Sequence, residues 1–221
     1  MIALLVMTDG RDDVLAETLA SFAANVTGPI SERWITDDPG DRHHSAHLAE
    51  LYPDFTVVTS PGRSGFGGAI RNAWSRLRLG SGARFVFHLE DDFTWNRPAD
   101  LGELAEVLDL YPHLAQIAYR RQAWNAEEIA AGGIVEQHPE DYTDCAAGEL
   151  QWLEHRRFFT TNPSLYRFDL LERGWPAGAH SEGRFSLDLF ADPARRCAFI
   201  GPRDSPPWVH HIGATRAGTG Y

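Results

Sequence analysis

The chain has 221 residues, 43% of them hydrophobic and 23% charged, with 20 basic against 31 acidic side chains and a formal net charge of −11. This is the composition of a globular chain long enough to bury a core, and it excludes a disordered or fibrous protein. The acidic balance argues against a nucleic-acid backbone as partner, which would call for a basic stripe. No apolar run approaches the roughly 20 residues of a membrane-spanning helix, so no membrane insertion is expected.

All 20 basic residues are arginine. The lack of lysine excludes Schiff-base catalysis, a Walker phosphate loop and a kinase strand lysine. Any bound anion is therefore left to arginine, main-chain N–H groups, histidine or a metal ion. Cys145 and Cys197 are too few for a disulfide framework or a thiolate zinc site and read as reduced thiols. The apolar run Ile2–Met7 is too short for a signal-peptide core and lacks a basic lead-in, so a cytoplasmic protein is expected.

Ile2–Met7 reads as a buried strand ending at Thr8-Asp9-Gly10. Asp12 or Asp13 can cap the following helix, which carries Val14, Leu15, Thr18, Leu19 and Phe22 on one face. Trp34–Thr36 predicts a short strand ending at Asp37-Asp38, His47–Leu51 a short helix, and Phe55–Val58 a third strand. The glycine-rich segment from Gly62 to Gly68 opens a helix with Ile70, Ala73, Trp74 and Leu77 on its apolar face. Arg84–Leu89 is a fourth strand, ending at Glu90-Asp91-Asp92.

Alternation of strand and helix over the first hundred residues is the pattern of a doubly wound, mainly parallel sheet flanked by helices. Ligands of such sheets sit at the carboxyl ends of the strands, where the three polar clusters fall. Beyond residue 100 the pattern loosens. Leu101–Leu110 predicts a helix, Ala115–Tyr119 and Phe158–Thr161 strands, Phe168–Arg173 a short helix and Arg184–Phe190 a helical segment. Trp208–Ile212 predicts a last strand, and the tail 213–221 is glycine-rich and expected to be mobile. The absence of a linker argues for one domain, 1–221, with a ligand-binding half to about residue 100 and a second half beyond it.

Three adjacent carboxylates at a strand end repel one another, and a hard divalent ion such as Mg²⁺ or Mn²⁺ resolves that repulsion. His210 and His211 face opposite sides of a strand, so one of them, His210 by slight preference, is a candidate ligand. Asp37 or Asp38 can accept from a nucleobase or a ribose. The glycine-rich helix start from Gly65, with Arg71, offers main-chain N–H groups to an anion. Glu182, or in second place Asp188, is a candidate general base. Trp95, Trp124, Trp152 and Trp208 are candidates for stacking, with core packing the ordinary role of each.

Taken together, these residues resemble a GT-A glycosyltransferase close in pattern to family 2. The likeness runs from Thr8-Asp9-Gly10-Arg11 through Asp37-Asp38 and Gly65–Asn72 to Glu90-Asp91-Asp92, good over residues 2–95 and patchy beyond. It implies donor-nucleotide contacts from Thr8, Asp9, Arg11, Asp37, Asp38, Gly65 and Arg71. It further implies ribose and sugar contacts from Glu90 and Asp91, a metal on Asp92 and a late histidine, and Glu182 as base. Two departures stand out: the acidic motif is Glu-Asp-Asp, and no Glu-Asp pair marks the base.

The implied reaction is inverting transfer from a nucleoside-diphosphate sugar, UDP favoured, with Mn²⁺ or Mg²⁺ as cofactor. The acceptor is left open among a protein side chain, a glycan and a modified DNA base, as is the oligomeric state. A nucleotidyltransferase and a non-catalytic nucleotide-sugar-binding module are the alternatives.

Overall fold

The computed structural model describes residues 1–215. The first half comprises β1 (Ile2–Thr8), α1 (Asp12–Asn25), β2 (Val26–Thr27), β3 (Ile30–Asp37), α2 (Arg42–Leu51), β4 (Thr56–Thr59), α3 (Gly65–Gly80), β5 (Phe85–Glu90), β6 (Phe93–Trp95) and β7 (Ala99–Asp100). There follow α4 (Leu101–Leu110), β8 (Leu114–Ala118), α5 (Ala126–Ala131), β9 (Thr143–Ala147), β10 (Leu150–His155), β11 (Ser164–Arg167), α6 (Ser181–Leu189), β12 (Arg196–Ile200) and β13 (Val209–His211). Short 3-10 turns lie at Pro139–Asp141, Phe168–Arg173 and Ile212–Thr215.

Nine strands form one sheet in the order β4-β3-β1-β5-β11-β8-β12-β10-β9. β11 and β10 run against the others, so the sheet is mainly parallel in strand direction. Side chains alternate across a strand, and β1 shows the consequence. Ile2, Leu4 and Val6 enter a core with Leu15, Phe22 and Leu48 from α1 and α2 and Leu101, Leu104 and Leu108 from α4. Ala3, Leu5 and Met7 enter the opposite core with Ile70, Trp74 and Leu77 of α3 and Phe185 and Leu189 of α6. Burial on both faces is why β1 reads as an unbroken apolar run.

The second core is rich in aromatic rings. Trp74 meets Trp175 and Phe185 edge-on at 5.2 and 5.3 Å, and its indole N–H donates to the Tyr166 hydroxyl at 2.9 Å. That hydrogen bond lets a large ring be buried without orphaning its polar atom.

Several elements differ from the sequence reading. Asp12 and Asp13 lie inside the first turn of α1, whose cap position is Arg11 with no side-chain cap bond; the aspartates act there through the helix dipole. The second strand grows to Ile30–Asp37, and α2 begins at Arg42, capped by Asp41 Oδ1 accepting from the His43 N–H at 2.8 Å.

Residues 158–161 are not a strand. Side chains hold their main chain instead: Phe159 N–H donates to Ser186 Oγ, Thr160 N–H to Gln116 Oε1 and Thr161 N–H to Glu182 Oε1. The expected mobility of the tail falls, from residue 216, outside the described residues.

Candidate active site

Parallel register brings the polar strand ends level. Thr8 of β1 pairs with Asp37 of β3, and Met7 with Glu90 of β5. The Thr8 hydroxyl then donates to Asp91 Oδ2 at 2.8 Å, and the Asp9 N–H donates to the same oxygen at 3.3 Å. Arg11 closes the group: its guanidinium contacts Asp91 Oδ1, Asp92 Oδ2 at 2.9 Å and Asp9 Oδ1 at 2.7 Å. One cation thus answers three carboxylates. Burial works against the charge of Arg11, but Asp91, Asp92 and Asp9 outweigh it and raise its pKa.

The three acids of the motif differ in environment. Burial raises Glu90 well above the ordinary carboxylate value, with repulsion from Asp92, Glu182 and Asp91 adding to it. Burial also raises Asp91, to about 6, against the opposing pull of Arg11 and Thr8. For Asp92 burial is overcome by His211 and Arg11, and its pKa falls.

His211 Nε2 lies 3.1 Å from Asp92 Oδ1. This oxygen is buried and has no hydrogen-bond partner among the described residues. A carboxylate oxygen left so, beside an imidazole nitrogen, fits a divalent cation completed by phosphate oxygens and water. His210, the slightly preferred ligand, is exposed and pairs with Thr94. β13 pairs with β6 so that His211 stacks on Phe93 at 4.7 Å, and this register selects the second histidine.

The turn that carries these acids has its own support. The Thr18 hydroxyl, fully buried on α1, donates to the Asp91 carbonyl at 2.7 Å and accepts from the Phe93 N–H at 3.1 Å. Gly213 lies directly against Asp92, and a Cβ at that position would collide with Oδ2.

At the end of β3 both aspartates are engaged by the protein itself. Asp37 is fully buried, accepting from Ser45 Oγ at 2.6 Å and lying 3.0 Å from His44 Nδ1. Asp38 accepts from Ser64 N, Ser64 Oγ and Gly65 N at 3.0, 2.6 and 3.0 Å. The anion at the start of α3 is therefore this carboxylate, which takes the place foreseen for a ligand. Arg71, further along α3, donates to the Pro176 carbonyl at 2.9 Å and makes no ion pair with the Asp91–Asp92 group.

Beside Glu90 and His211 opens a pocket of about 340 Å³, within the range of small-ligand sites. Glu182 forms part of its wall. His180, in the left-handed conformation at φ 55°, turns the chain into α6. Glu182 Oε1 there accepts from Thr161 N at 2.8 Å and Thr161 Oγ1 at 3.2 Å. Burial raises the Glu182 pKa, and the Thr161 hydrogen bonds oppose it.

Asp188, the second candidate base, is exposed on α6 and pairs with Arg173 at 2.8 Å; it is not part of the pocket wall. Of the four tryptophans, only Trp124 lines the pocket. Trp95 and Trp152 are buried in the core, and Trp208 lies under the Arg97 guanidinium at 3.6 Å.

In the loop after β8 the sequence reading named only Trp124, as a stacking candidate, and missed Arg121 and Gln122. Arg121 and Trp124 line the pocket, and the Gln122 side chain exchanges two hydrogen bonds with the main chain of His211, at 2.9 and 3.1 Å. No motif marks these residues, since their roles come from contacts across ~90 positions in the chain.

The chain matches Glycosyl transferase family 2 over residues 4–175. No curated protein matches it. Among solved structures, TarS from S. aureus in complex with UDP is 17% identical with a TM-score of 0.61, over 95% of this chain and 59% of that one. TarS in complex with UDP-GlcNAc is also 17% identical, TM-score 0.61, over 99% and 59%. GalNAc-T7 with UDP, GalNAc and Mn²⁺ is 10% identical with a TM-score of 0.64, over 96% and 44%. The chain thus spans about three fifths of the TarS chains and less than half of GalNAc-T7. At these identities the likeness establishes the GT-A fold. With the match covering most of its length, the chain belongs to glycosyl transferase family 2.

Proposed function

We propose that the protein is a metal-dependent, inverting glycosyltransferase that moves a sugar from a nucleoside-diphosphate sugar, UDP first, to an acceptor hydroxyl. The observation that carries this reading is the buried Asp92 Oδ1, which accepts no well-formed hydrogen bond among the described residues and lies 3.1 Å from His211 Nε2, at the edge of the pocket that holds Glu182. Family membership supports it, as do the UDP-containing structures of the same fold.

Asp92 and His211 would hold a divalent ion, which when bound neutralises charge on the departing diphosphate. Thr8 and Arg11 fix the orientation of Asp91 and Asp92, while Asp37 and Asp38 shape the turns that border the nucleotide. Glu182 accepts the proton of the acceptor hydroxyl. The acceptor oxygen bonds to the anomeric carbon as the bond from that carbon to the diphosphate breaks on the opposite face. No enzyme residue is covalently modified. In this reading the half to about residue 100 holds the donor, and the remainder supplies the acceptor pocket and the base. No described helix is long and apolar enough to cross a membrane.

Thermal melting with UDP, GDP and their sugars, with and without Mn²⁺, tests the reading. A ligand that binds only the folded state raises the melting temperature. The expected result is stabilisation by UDP that grows with Mn²⁺; no shift with any nucleotide overturns it. Release of nucleoside diphosphate during turnover, against release of pyrophosphate, separates glycosyl from nucleotidyl transfer.

A further inference from the structure

The imidazole of His211 is held by more than its own strand. We infer that Trp124 is a positioning residue for His211: its indole fixes the plane of the imidazole whose Nε2 faces Asp92, and thereby sets which divalent ion the pair prefers. The inference rests on the reading of Asp92 and His211 as metal ligands and extends it to a residue outside the ligand set.

The second side-chain torsion of a histidine is broad, so its ring plane has to be fixed from outside. Two aromatic rings do this. Phe93, the cross-strand partner, stacks on the imidazole at 4.7 Å and 20°, and Trp124 lies against it at 4.3 Å and 33°. An imidazole packed on such faces cannot turn edge-on without displacing them.

Trp124 is itself anchored. Its main-chain N–H donates to Glu128 Oε2 at 2.9 Å, and Arg121 holds the same carboxylate through bonds of 2.7 and 3.1 Å. Asn125 caps α5 by accepting from the Glu128 N–H at 2.8 Å. The loop thus reaches His211 twice, at the main chain through Gln122 and at the ring through Trp124. A tryptophan that only filled a core would be largely buried, yet Trp124 stays 41% exposed.

An oriented imidazole and a loose one leave different sites. Imidazole nitrogen suits the later first-row ions such as Co²⁺, whereas Mg²⁺ takes oxygen ligands and keeps much of its water. With the ring turned away, the Asp92 carboxylate and solvent remain, and Co²⁺ loses its advantage over Mg²⁺. A general loosening of the fold would weaken both ions alike.

The test uses the full chain without nucleotide. Bound Mn²⁺ is followed by electron paramagnetic resonance and displaced with Co²⁺ or with Mg²⁺. His211→Ala sets the reference: Co²⁺ affinity should fall about tenfold or more, with Mg²⁺ within about threefold. Trp124→Leu, which keeps apolar bulk but offers no flat face, should shift the Co²⁺/Mg²⁺ ratio in the same direction, and Trp124→Phe should restore it. Added to His211→Ala, Trp124→Leu should change nothing further, because both act through one ring. A wild-type ratio in Trp124→Leu, an equal loss of both ions, or no recovery in Trp124→Phe overturns the inference alone. An unchanged ratio in His211→Ala, or no Mn²⁺ binding by the wild type, overturns the metal assignment beneath it.

Discussion

Arg11 pairs with Asp92 at 2.9 Å through the carboxylate oxygen opposite the one that faces His211. The guanidinium therefore stands where charge would otherwise draw in a cation, and it leaves Oδ1 alone presented to one. Arg11→Gln removes that competing charge while keeping a polar group. Mn²⁺ affinity of the nucleotide-free protein, read by electron paramagnetic resonance, is expected to tighten several-fold. Unchanged or weaker affinity means that Arg11 does not compete for the site.

Glu182→Gln keeps the size of the side chain and its hydrogen bonds with Thr161 but removes the base. Turnover should fall roughly 10²–10⁴-fold, the usual worth of a general base, with donor affinity within about twofold of wild type. Burial places the Glu182 pKa above its ordinary 4.5, so wild-type rate climbs as pH rises through that elevated value. The variant should lack this limb. Full turnover in Glu182→Gln would assign the base elsewhere.

Gly213→Ala places a methyl group against Asp92 Oδ2. The carboxylate must rotate or shift, and the Oδ1–His211 geometry goes with it. Mn²⁺ affinity is expected to drop about tenfold, corresponding to ~1.4 kcal/mol. The melting temperature should move little, because Gly213 is only half-buried. Wild-type affinity in this variant would show that Asp92 orientation does not govern the site.

His44 links two elements through Asp12 at 2.7 Å and Asp37 at 3.0 Å. Burial lowers its pKa, but the two aspartates outweigh burial and raise it above 6.5. A raised histidine pKa contributes stability that is complete below the unfolded value and fades as pH rises through the folded one. The difference in melting temperature between wild type and His44→Gln should therefore be largest below pH 6.5 and shrink above it. A difference that grows with pH would reverse the assignment.

The parallel half of the sheet is legible because its strands are buried on both faces. The run Ile2–Met7 and the face Ile70, Ala73, Trp74 and Leu77 have no other sensible reading. The acids follow from the same logic, since every parallel strand ends at the same edge. β9, by contrast, is a largely exposed edge strand with no periodic signal. The choice between Glu182 and Asp188 is partly decidable: six residues apart on a helix, they point about 120° apart, so only one can face a given pocket. The choice between His210 and His211 was not, because the pairing of β13 with β6 sets it. Nor does local sequence disclose that Asp38 occupies the start of α3, a contact made across 26 positions.

Gln122 grips the main chain of His211, while Asp92 meets its ring from the strand ends. In the proposed reading the histidine would be the pivot between a metal ion on Asp92 and an occupant of the pocket that His211 lines. Whatever free energy one occupant gains by adjusting that pivot must reappear in the affinity of the other, with equal size in both directions.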